Sequence, residues 1–276
     1  MKLNNLTKRI LVGIFGVPVI LLSIWYGRFA FVALVGVIVV FAQYEFYRLA
    51  EKKQIQPLKI IGLIGGLLIV LNFYFFKNEL TLFILSIMVI LLLITELFRN
   101  KPNALLNQMA TLGGLIYPAT LFSFLILIRE SSPAINRSYQ YGAKWVFAIL
   151  ISTWICDTAA YFFGKKFGRH KLFPRVSPNK TVEGAISGLV FALLIMGLVK
   201  LTFFKTELLR DLLIVGAICG TVGQVGDLVE SLFKRDVQLK DSSKLLPGHG
   251  GFLDRFDSLF FNAPVAYIYI KYLIIH

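Results

Sequence analysis

One charged segment interrupts an otherwise apolar chain and holds the side chains best suited to chemistry. Residues 231–257, SLFKRDVQLKDSSKLLPGHGGFLDRFD, carry nine formal charges and one histidine, whereas 57% of the 276-residue sequence is hydrophobic. Asp227 and Glu230 come directly before this segment. Because the run PGHGG imposes a turn, we expect the chain after it to fold back, which would bring Asp227 and Asp254 face to face.

Carboxylates surrounded by lysine and arginine are the arrangement that phosphoryl chemistry requires. Mg²⁺ prefers one or two carboxylates together with phosphate oxygens, and cations neutralise charge on the attacked phosphorus and on the leaving group. His249 could act there as an acid or base, or it could be a hydrogen-bonding turn residue between glycines. The sequence has neither a GxxxxGK[ST] loop nor a GxGxxG motif after a strand, which excludes the P-loop and dinucleotide-binding folds.

A second loop, residues 165–182, is strongly basic. Its sequence KKFGRHKLFPRVSPNKTV holds six lysines or arginines and no acid. Such a loop is attracted to anionic lipid head groups, and it is also suited to bind phosphate. Ser177, Asn179 and Thr181 are placed to cap the following helix, whose N-terminal amides favour an anion. We predict a phosphate-binding surface in this loop.

Three acids occur in apolar runs that are rich in small residues. Asp157 lies in STWICDTAAYFFG, Glu183 precedes two glycines four residues apart, and Asp227 follows glycines at 216, 220, 223 and 226. Glycines three and four residues apart let a neighbouring helix or a ligand approach one helical face closely. An acid at mid-membrane costs about 2.5–3.5 kcal/mol, so pairing with a facing Lys or Arg is one explanation. The three acids together favour a polar chamber that opens toward the cytoplasm.

The elements that position these residues are membrane-spanning helices. The mean hydropathy is +0.74 and only 16% of the residues are charged. Apolar runs of about 18 residues cross a ~30 Å hydrocarbon core as helices, since the backbone in lipid must satisfy its own hydrogen bonds. These runs are apolar on all sides, unlike the striped helices of a soluble bundle. We predict an all-α polytopic membrane protein with about nine transmembrane helices: 10–26, 29–49, 59–76, 80–98, 104–128, 145–164, 183–203, 209–230 and 256–274.

The distribution of basic residues predicts the orientation. With a cytoplasmic N-terminus, the inside segments hold 20 Lys and Arg residues and the outside segments hold 9. We therefore predict a cytoplasmic N-terminus, an external His276, and cytoplasmic loops at 165–182 and 231–256. The net charge of +14 follows mainly from this topology, so we expect no nucleic-acid partner. Residues 1–143 are predicted to be a scaffold of about five spans, and residues 144–276 a catalytic region of about four.

Two charge pairs occur at helical spacing in the scaffold half. Glu45 and Arg48 lie three residues apart near the end of the second span, and Glu96 and Arg99 repeat the arrangement on the fourth. Local ion pairs explain both.

The charged segment resembles the signature of the CDP-diacylglycerol synthases, also called phosphatidate cytidylyltransferases. The matching pattern is S-x-F-K-R-x4-K-D-x-S-x2-L-P-x-H-G-G-x2-D-R-x-D. Residues 157–168 (DTAAYFFGKKFG) and 177–184 (SPNKTVEG) are similar to two further blocks of that family. Asn179 stands where many members have lysine, which leaves Lys180 as the basic residue of its block. The resemblance covers residues 157–257, and only the hydrophobic pattern extends it to 1–140.

The resemblance implies a Mg²⁺-dependent transfer in which CTP and phosphatidic acid give CDP-diacylglycerol and pyrophosphate. It also implies a homodimer in the cell (inner) membrane, an active site that faces the cytoplasm, and a monovalent cation such as K⁺ near the Mg²⁺. By motif position, Asp227 and Asp254 would be the metal ligands. The predicted catalytic residues are Asp227, Asp254, Lys234, Arg235, Lys240, Asp241, His249, Arg255 and Asp257. The predicted substrate-binding residues are Lys165, Ser177, Asn179, Lys180, Thr181, Glu183, Asp157, Ser231, Gly250 and Gly251.

Two other functions are compatible with parts of this pattern. A CTP-dependent lipid kinase of the polyprenol or phytol type would share part of the site, but it would transfer the γ-phosphoryl group and release CDP. Intramembrane acids and broken helices also occur in ion-coupled transporters, whose sites usually lie near the midplane between repeated halves. The charged residues here sit at the cytoplasmic ends of the spans, which favours the transferase.

Overall fold

Helices occupy the positions of the predicted spans, and the predicted span 104–128 is formed by two helices joined by a π-helical turn. A computed structural model describes residues 5–131 and 138–274, so the predicted locations of residues 1–4 and of His276 lie outside the described residues. Pro118 cannot donate a backbone hydrogen bond, and it lies in a π-helical turn that joins two helices into one apolar span. The helices are α1 (Asn5–Tyr26), α2 (Arg28–Lys52), α3 (Lys59–Phe75), α4 (Thr81–Arg99), α5 (Ala104–Gly114), α6 (Leu121–Arg129), α7 (Gln140–Phe167), α8 (Val182–Thr202), α9 (Leu209–Asp236) and α10 (Leu253–Tyr269), with π-helical turns at Leu115–Thr120 and Ile270–Ile274.

The lengths and surfaces of these helices identify a multi-pass membrane protein. On α4, Leu82, Leu97 and Phe98 are 77–80% exposed, an apolar surface that is rare on soluble monomers. In the described part of the chain, six helices are long and apolar enough to cross a membrane. This number is below the predicted nine in part because α3 and α10 each span only 17 residues. The six are Arg28–Lys52, Thr81–Arg99, Ala104–Arg129, Gln140–Phe167, Val182–Thr202 and Leu209–Asp236.

The glycine-rich face of α9 lets two neighbouring helices pack closely, as its sequence predicts. A Cβ atom at Gly220 would lie 2.9 Å from the Cα of Leu189 on α8. On the same helix, a Cβ atom at Gly226 would lie 2.8 Å from the backbone oxygen of Asp257 on α10. Because no larger residue fits at these crossings, α9 lies between α8 and α10 and brings Asp227 close to the start of α10.

The basic loop folds into a small β-hairpin, which the all-helical prediction did not include. Strands β1 (Lys171–Phe173) and β2 (Ser177–Thr181) are antiparallel, with Phe173 opposite Ser177. The side chain of Thr181 caps α8 by accepting a hydrogen bond from Gly184 N at 3.1 Å, as predicted. The same prediction was wrong for Ser177 and Asn179, because both lie within β2, before the capping position.

The predicted pair of Glu96 and Arg99 is confirmed. Arg99 Nη1 lies 3.2 Å from Glu96 Oε2, and the other carboxylate oxygen accepts a 2.7 Å hydrogen bond from Asn107 Nδ2. This buried carboxylate therefore joins α4 to α5.

Candidate active site

An open cavity of about 610 Å³ lies where the separate polar blocks of the sequence meet. Its wall is formed by α7, the β-hairpin, the start of α8, and α9. Helix packing therefore brings two of the three acids of the predicted chamber, Asp157 and Asp227, next to the basic hairpin, whereas Glu183 does not line this cavity. The predicted site residues in this wall are Asp157, Lys165, Asn179, Lys180, Thr181 and Asp227.

The carboxylate of Asp227 is paired but accessible. Its Oδ2 atom lies 2.6 Å from Lys180 Nζ, and both side chains are 29% exposed. Ser231, one turn later on α9, has its hydroxyl 3.4 Å from Oδ1. Asp157 and Asp257 lie within electrostatic range of Asp227. The neighbourhood of Asp227 therefore holds several carboxyl groups, whose oxygens are the protein ligands that Mg²⁺ prefers.

The run PGHGG forms the predicted turn. Leu246 N–H donates to the carbonyl of Gly250, and His249 N–H donates to the carbonyl of Leu246, both at 2.9 Å. Gly248 has φ 79° and Gly250 has φ 87°, values that glycine adopts more readily than other residues. The turn reverses the chain, so that α10 begins beside the C-terminal end of α9.

Asp254 joins the loop to α9. Its Oδ1 atom accepts a 2.7 Å hydrogen bond from Lys234 Nζ, and its Oδ2 atom accepts 2.8 Å bonds from Ser242 Oγ and Gly251 N. Lys234 also pairs with Glu230, one turn earlier on α9. Burial alone would raise the pKa of the Asp254 carboxyl, but Lys234 and the other donors hold that pKa below its ordinary value. Asp254 is therefore a buried, ionised carboxylate at the junction of α9, the loop and α10.

The two predicted metal ligands thus have different surroundings. Asp227 faces the open cavity, whereas both oxygens of Asp254 already accept hydrogen bonds from protein donors. Among the described residues, no group of three or more His, Cys, Asp or Glu is arranged to hold a metal ion. Mg²⁺ needs only one or two carboxylates when phosphate oxygens and waters complete its shell. The donors around Asp227 fit a cation of that kind.

Two predicted catalytic residues line a second cavity and not the one that Asp227 lines. The second cavity has a volume of about 410 Å³, and Lys240 and Asp241 lie in its wall beside Arg48 and Lys52 of α2. The residues between α9 and the PGHGG turn run along the end of α2, which explains this position. The sequence alone placed Lys240 and Asp241 around the same centre as Asp227.

Several other predicted residues hold the loops in place. Arg235 donates to one backbone carbonyl in the hairpin and to another in the loop after α9. Arg255 donates to the carbonyl of His249 at 2.8 Å. Glu183 accepts hydrogen bonds from two backbone amides just before β1 and contacts the side chain of His170 at 2.6 Å.

One functional candidate, Glu45, was missed by the sequence reasoning. The spacing predicts a local pair with Arg48, but the carboxylate of Glu45 instead accepts four hydrogen bonds from residues 242–253. The position of an acid inside an apolar run could have indicated a role for Glu45. Arg48, three residues later, offered a simpler explanation for that acid as a local ion pair.

Comparison with known proteins identifies the family of this chain. The model of the cytidylyltransferase family matches residues 7–273. A phosphatidate cytidylyltransferase of Bacillus subtilis (strain 168) is 34% identical over 271 residues, which are 95% of this chain and 97% of the relative. Those of Staphylococcus saprophyticus and Staphylococcus aureus (strain COL) are 48% and 49% identical over 128 residues, which are 46% of this chain and 49% of each relative. A chain that matches the family model over residues 7–273, with Asp157, Asp227, Lys165 and Lys180 around one cavity, belongs to the cytidylyltransferase family.

Proposed function

We propose that this protein is a phosphatidate cytidylyltransferase, which converts CTP and phosphatidic acid to CDP-diacylglycerol and pyrophosphate in phospholipid biosynthesis. The observation that carries the proposal is the cavity in which Asp157 and Asp227 face Lys165 and Lys180. One substrate has acyl chains that must stay in lipid, and the other is a soluble polyanion. An open polar cavity among membrane helices gives both substrates access to the same point.

The reaction is a displacement at the α-phosphorus of CTP. A phosphate oxygen of phosphatidic acid forms the new P–O bond, while the bond to the β-phosphate breaks and pyrophosphate carries away the electron pair. A phosphate monoester is already anionic near neutral pH, so the site needs no strong base for this step. The chain's contribution is to bind and orient two anionic groups that would otherwise repel each other.

Basic side chains around the cavity supply this orientation. Lys180 belongs to the β-hairpin and Lys165 to the last turn of α7, so two separate elements present ammonium groups to one space. Lysine offers phosphate a mobile point charge, and arginine offers a fork that binds two oxygens. We assign Lys165, Lys180 and Asn179 to the triphosphate, with Lys234, Arg235 and Arg255 balancing its charge from the loop side.

The expected cofactor is Mg²⁺, with Asp227 and Asp254 as its proposed ligands. The accessible carboxylate of Asp227 supports the first assignment, and a monovalent cation such as K⁺ would add positive charge nearby. When bound, Mg²⁺ neutralises negative charge on the phosphate oxygens. Lys234 and the loop amides donate hydrogen bonds to the Asp254 carboxylate, and the bonds to one of its oxygens must break before that oxygen can bind a metal ion.

We also propose the finer topology on the basis of charge. Nine spans with a cytoplasmic N-terminus place the hairpin and the 231–256 loop on the cytoplasmic face, where CTP is available. In this arrangement residues 144–276 form the catalytic region and residues 1–143 the scaffold, and two chains form a homodimer. The wall of the large cavity, formed by residues 157–227, supports this division.

Lys180→Gln is expected to weaken the use of CTP. A charge-assisted hydrogen bond contributes about 1.5–3 kcal/mol, so we expect kcat/KM for CTP to fall about 10- to 100-fold, mainly through KM. Arg175→Gln is the matched control, because Arg175 is an exposed residue of the same hairpin that lies outside the cavity wall. Steady-state kinetics at varied CTP concentration measure both variants, and equal losses would contradict a specific role of Lys180.

Isotope labelling of CTP separates cytidylyl transfer from the kinase reaction. Purified protein is incubated with phosphatidic acid, Mg²⁺ and CTP that carries label at either the α- or the γ-phosphate. We expect the lipid to acquire only the α-label, with the γ-label released as pyrophosphate. Transfer of the γ-label to lipid, with release of CDP, would replace the proposal with a CTP-dependent lipid kinase.

A further inference from the structure

Glu45, in the half of the chain that was assigned to the scaffold, binds the loop that precedes α10. Its side chain is fully buried on α2. One carboxylate oxygen accepts hydrogen bonds from Ser243 Oγ at 2.6 Å and Phe252 N at 3.0 Å. The other accepts from Ser242 Oγ at 3.0 Å and Leu253 N at 2.8 Å. Four donors, some 200 positions away in sequence, thus converge on one acid.

Two of these donors are backbone amides at the N-terminus of α10. The capping residue Phe252 provides no side-chain cap among the described hydrogen bonds. The first amides of a helix lack intrahelical partners and favour a negative charge. Glu45 therefore acts as a cap from another helix. Phe41, one turn earlier on α2, stacks on the Phe252 ring with a centroid distance of 4.8 Å. This contact is a second link between α2 and the N-terminus of α10.

The contact leads directly to Asp254. The hydroxyl of Ser242 lies 3.0 Å from Glu45 Oε2 and 2.8 Å from Asp254 Oδ2, so its single proton is shared between the two carboxylates. A Cβ atom at Gly251 would overlap both oxygens of Glu45 and the hydroxyl of Ser242. The loop is thus shaped to fit Glu45, and the position of Asp254 depends on that fit.

We infer that Glu45 is a positioning residue for the transferase site: it holds segment 242–253 and, through Ser242, sets the position of Asp254. The inference rests on the proposed function where it predicts a change in kcat. The predicted change in hydrogen–deuterium exchange of segment 242–253 does not depend on that function. Small displacements of groups that orient reactants reduce rates strongly, even when substrate binding is preserved.

Glu45→Gln tests the inference, because it keeps the side-chain shape but replaces one acceptor oxygen with an NH₂ group that faces donors. In purified protein we expect kcat for CDP-diacylglycerol formation to fall at least about tenfold, with KM for CTP changed by less than about threefold. Hydrogen–deuterium exchange is expected to rise in segment 242–253 and to stay unchanged in α4 and α5. Glu45→Asp, which keeps the charge with a shorter reach, should recover part of kcat.

Glu96→Gln is the matched control: a buried glutamate of the same half, hydrogen-bonded to Asn107 and Arg99. Its kcat should stay within about twofold of the parent, and the exchange of segment 242–253 should not change. Unaltered kcat in Glu45→Gln would overturn the inference, as would an exchange increase spread evenly over the molecule, which indicates general destabilisation.

If Glu45→Gln does not accumulate in membranes, Ser243→Ala replaces it, since this change removes a single donor to Glu45. Local exchange in segment 242–253 must then rise, and an unchanged exchange pattern refutes the positioning role. The two proposals fail differently. A parent protein without activity on CTP and phosphatidic acid contradicts the proposed function, while the exchange measurement still decides whether Glu45 holds the loop.

Discussion

Asp227→Asn is expected to lower CDP-diacylglycerol formation by about 10³-fold, with the protein still folded and present in the membrane. Asp227 is the acid that faces the large cavity, and only Lys180 pairs with it at ion-pair distance among the described contacts. The amide of Asn keeps the shape of the side chain but removes the negative charge that would hold a cation beside the triphosphate. Because the carboxylate is partly exposed, its removal leaves no buried charge without a partner.

The measurement is CDP-diacylglycerol synthesis at saturating CTP and phosphatidic acid, over a wide range of Mg²⁺ concentration. Asp236→Asn provides the control, since Asp236 ends the same helix and pairs with Lys53 at the surface. We expect the control to keep at least half of the parent rate. Full activity of Asp227→Asn at every Mg²⁺ concentration would refute its assignment as a metal ligand.

Asp254→Asn, by contrast, is expected to lose both activity and stability. The carboxylate accepts hydrogen bonds from Lys234, Ser242 and Gly251, and its side chain is only 5% exposed. Removing one member of a buried ion pair typically costs 3–5 kcal/mol. We expect a loss of about 3 kcal/mol in the free energy of unfolding, at the low end because Glu230 still pairs with Lys234.

Thermal unfolding of the detergent-solubilised variants distinguishes the two aspartates. The unfolding midpoint should fall by several degrees for Asp254→Asn and stay near the parent value for Asp227→Asn, while both variants lose the activity. Asp254→Asn with normal stability and no activity would assign Asp254 a purely chemical role. Normal activity of this variant would remove Asp254 from the site altogether.

The sequence was sufficient to predict the helices, the close packing of α9 and the turn before α10. Apolar runs became helices because the backbone of an apolar segment in lipid has no other way to satisfy its hydrogen bonds. The glycines before Asp227 predicted close packing, and at Gly226 the backbone of α10 fills the space that a side chain would need. The PGHGG run predicted the reversal that brings Asp254 back to α9.

Other features depended on contacts between distant residues. Lys240 and Asp241 belong to the signature motif, yet they line a cavity together with Arg48 and Lys52 of α2. Glu45 has an arginine three residues away, yet its carboxylate binds amides and hydroxyls some 200 positions later. Local spacing favours the nearest partner, whereas a buried carboxylate is stabilised by the largest set of donors that the fold brings to it.

By itself, the sequence determined the membrane character and the family, and it predicted residues for phosphate and cation binding, because these inferences follow from composition and from side chains at fixed spacing. Only the tertiary structure decided which of those side chains face a common cavity. It separated the accessible carboxylate of Asp227 from the buried one of Asp254 and joined α2 to the signature loop. The physical reason is that exposure and hydrogen-bond partners are set by helix packing, which a linear pattern does not encode.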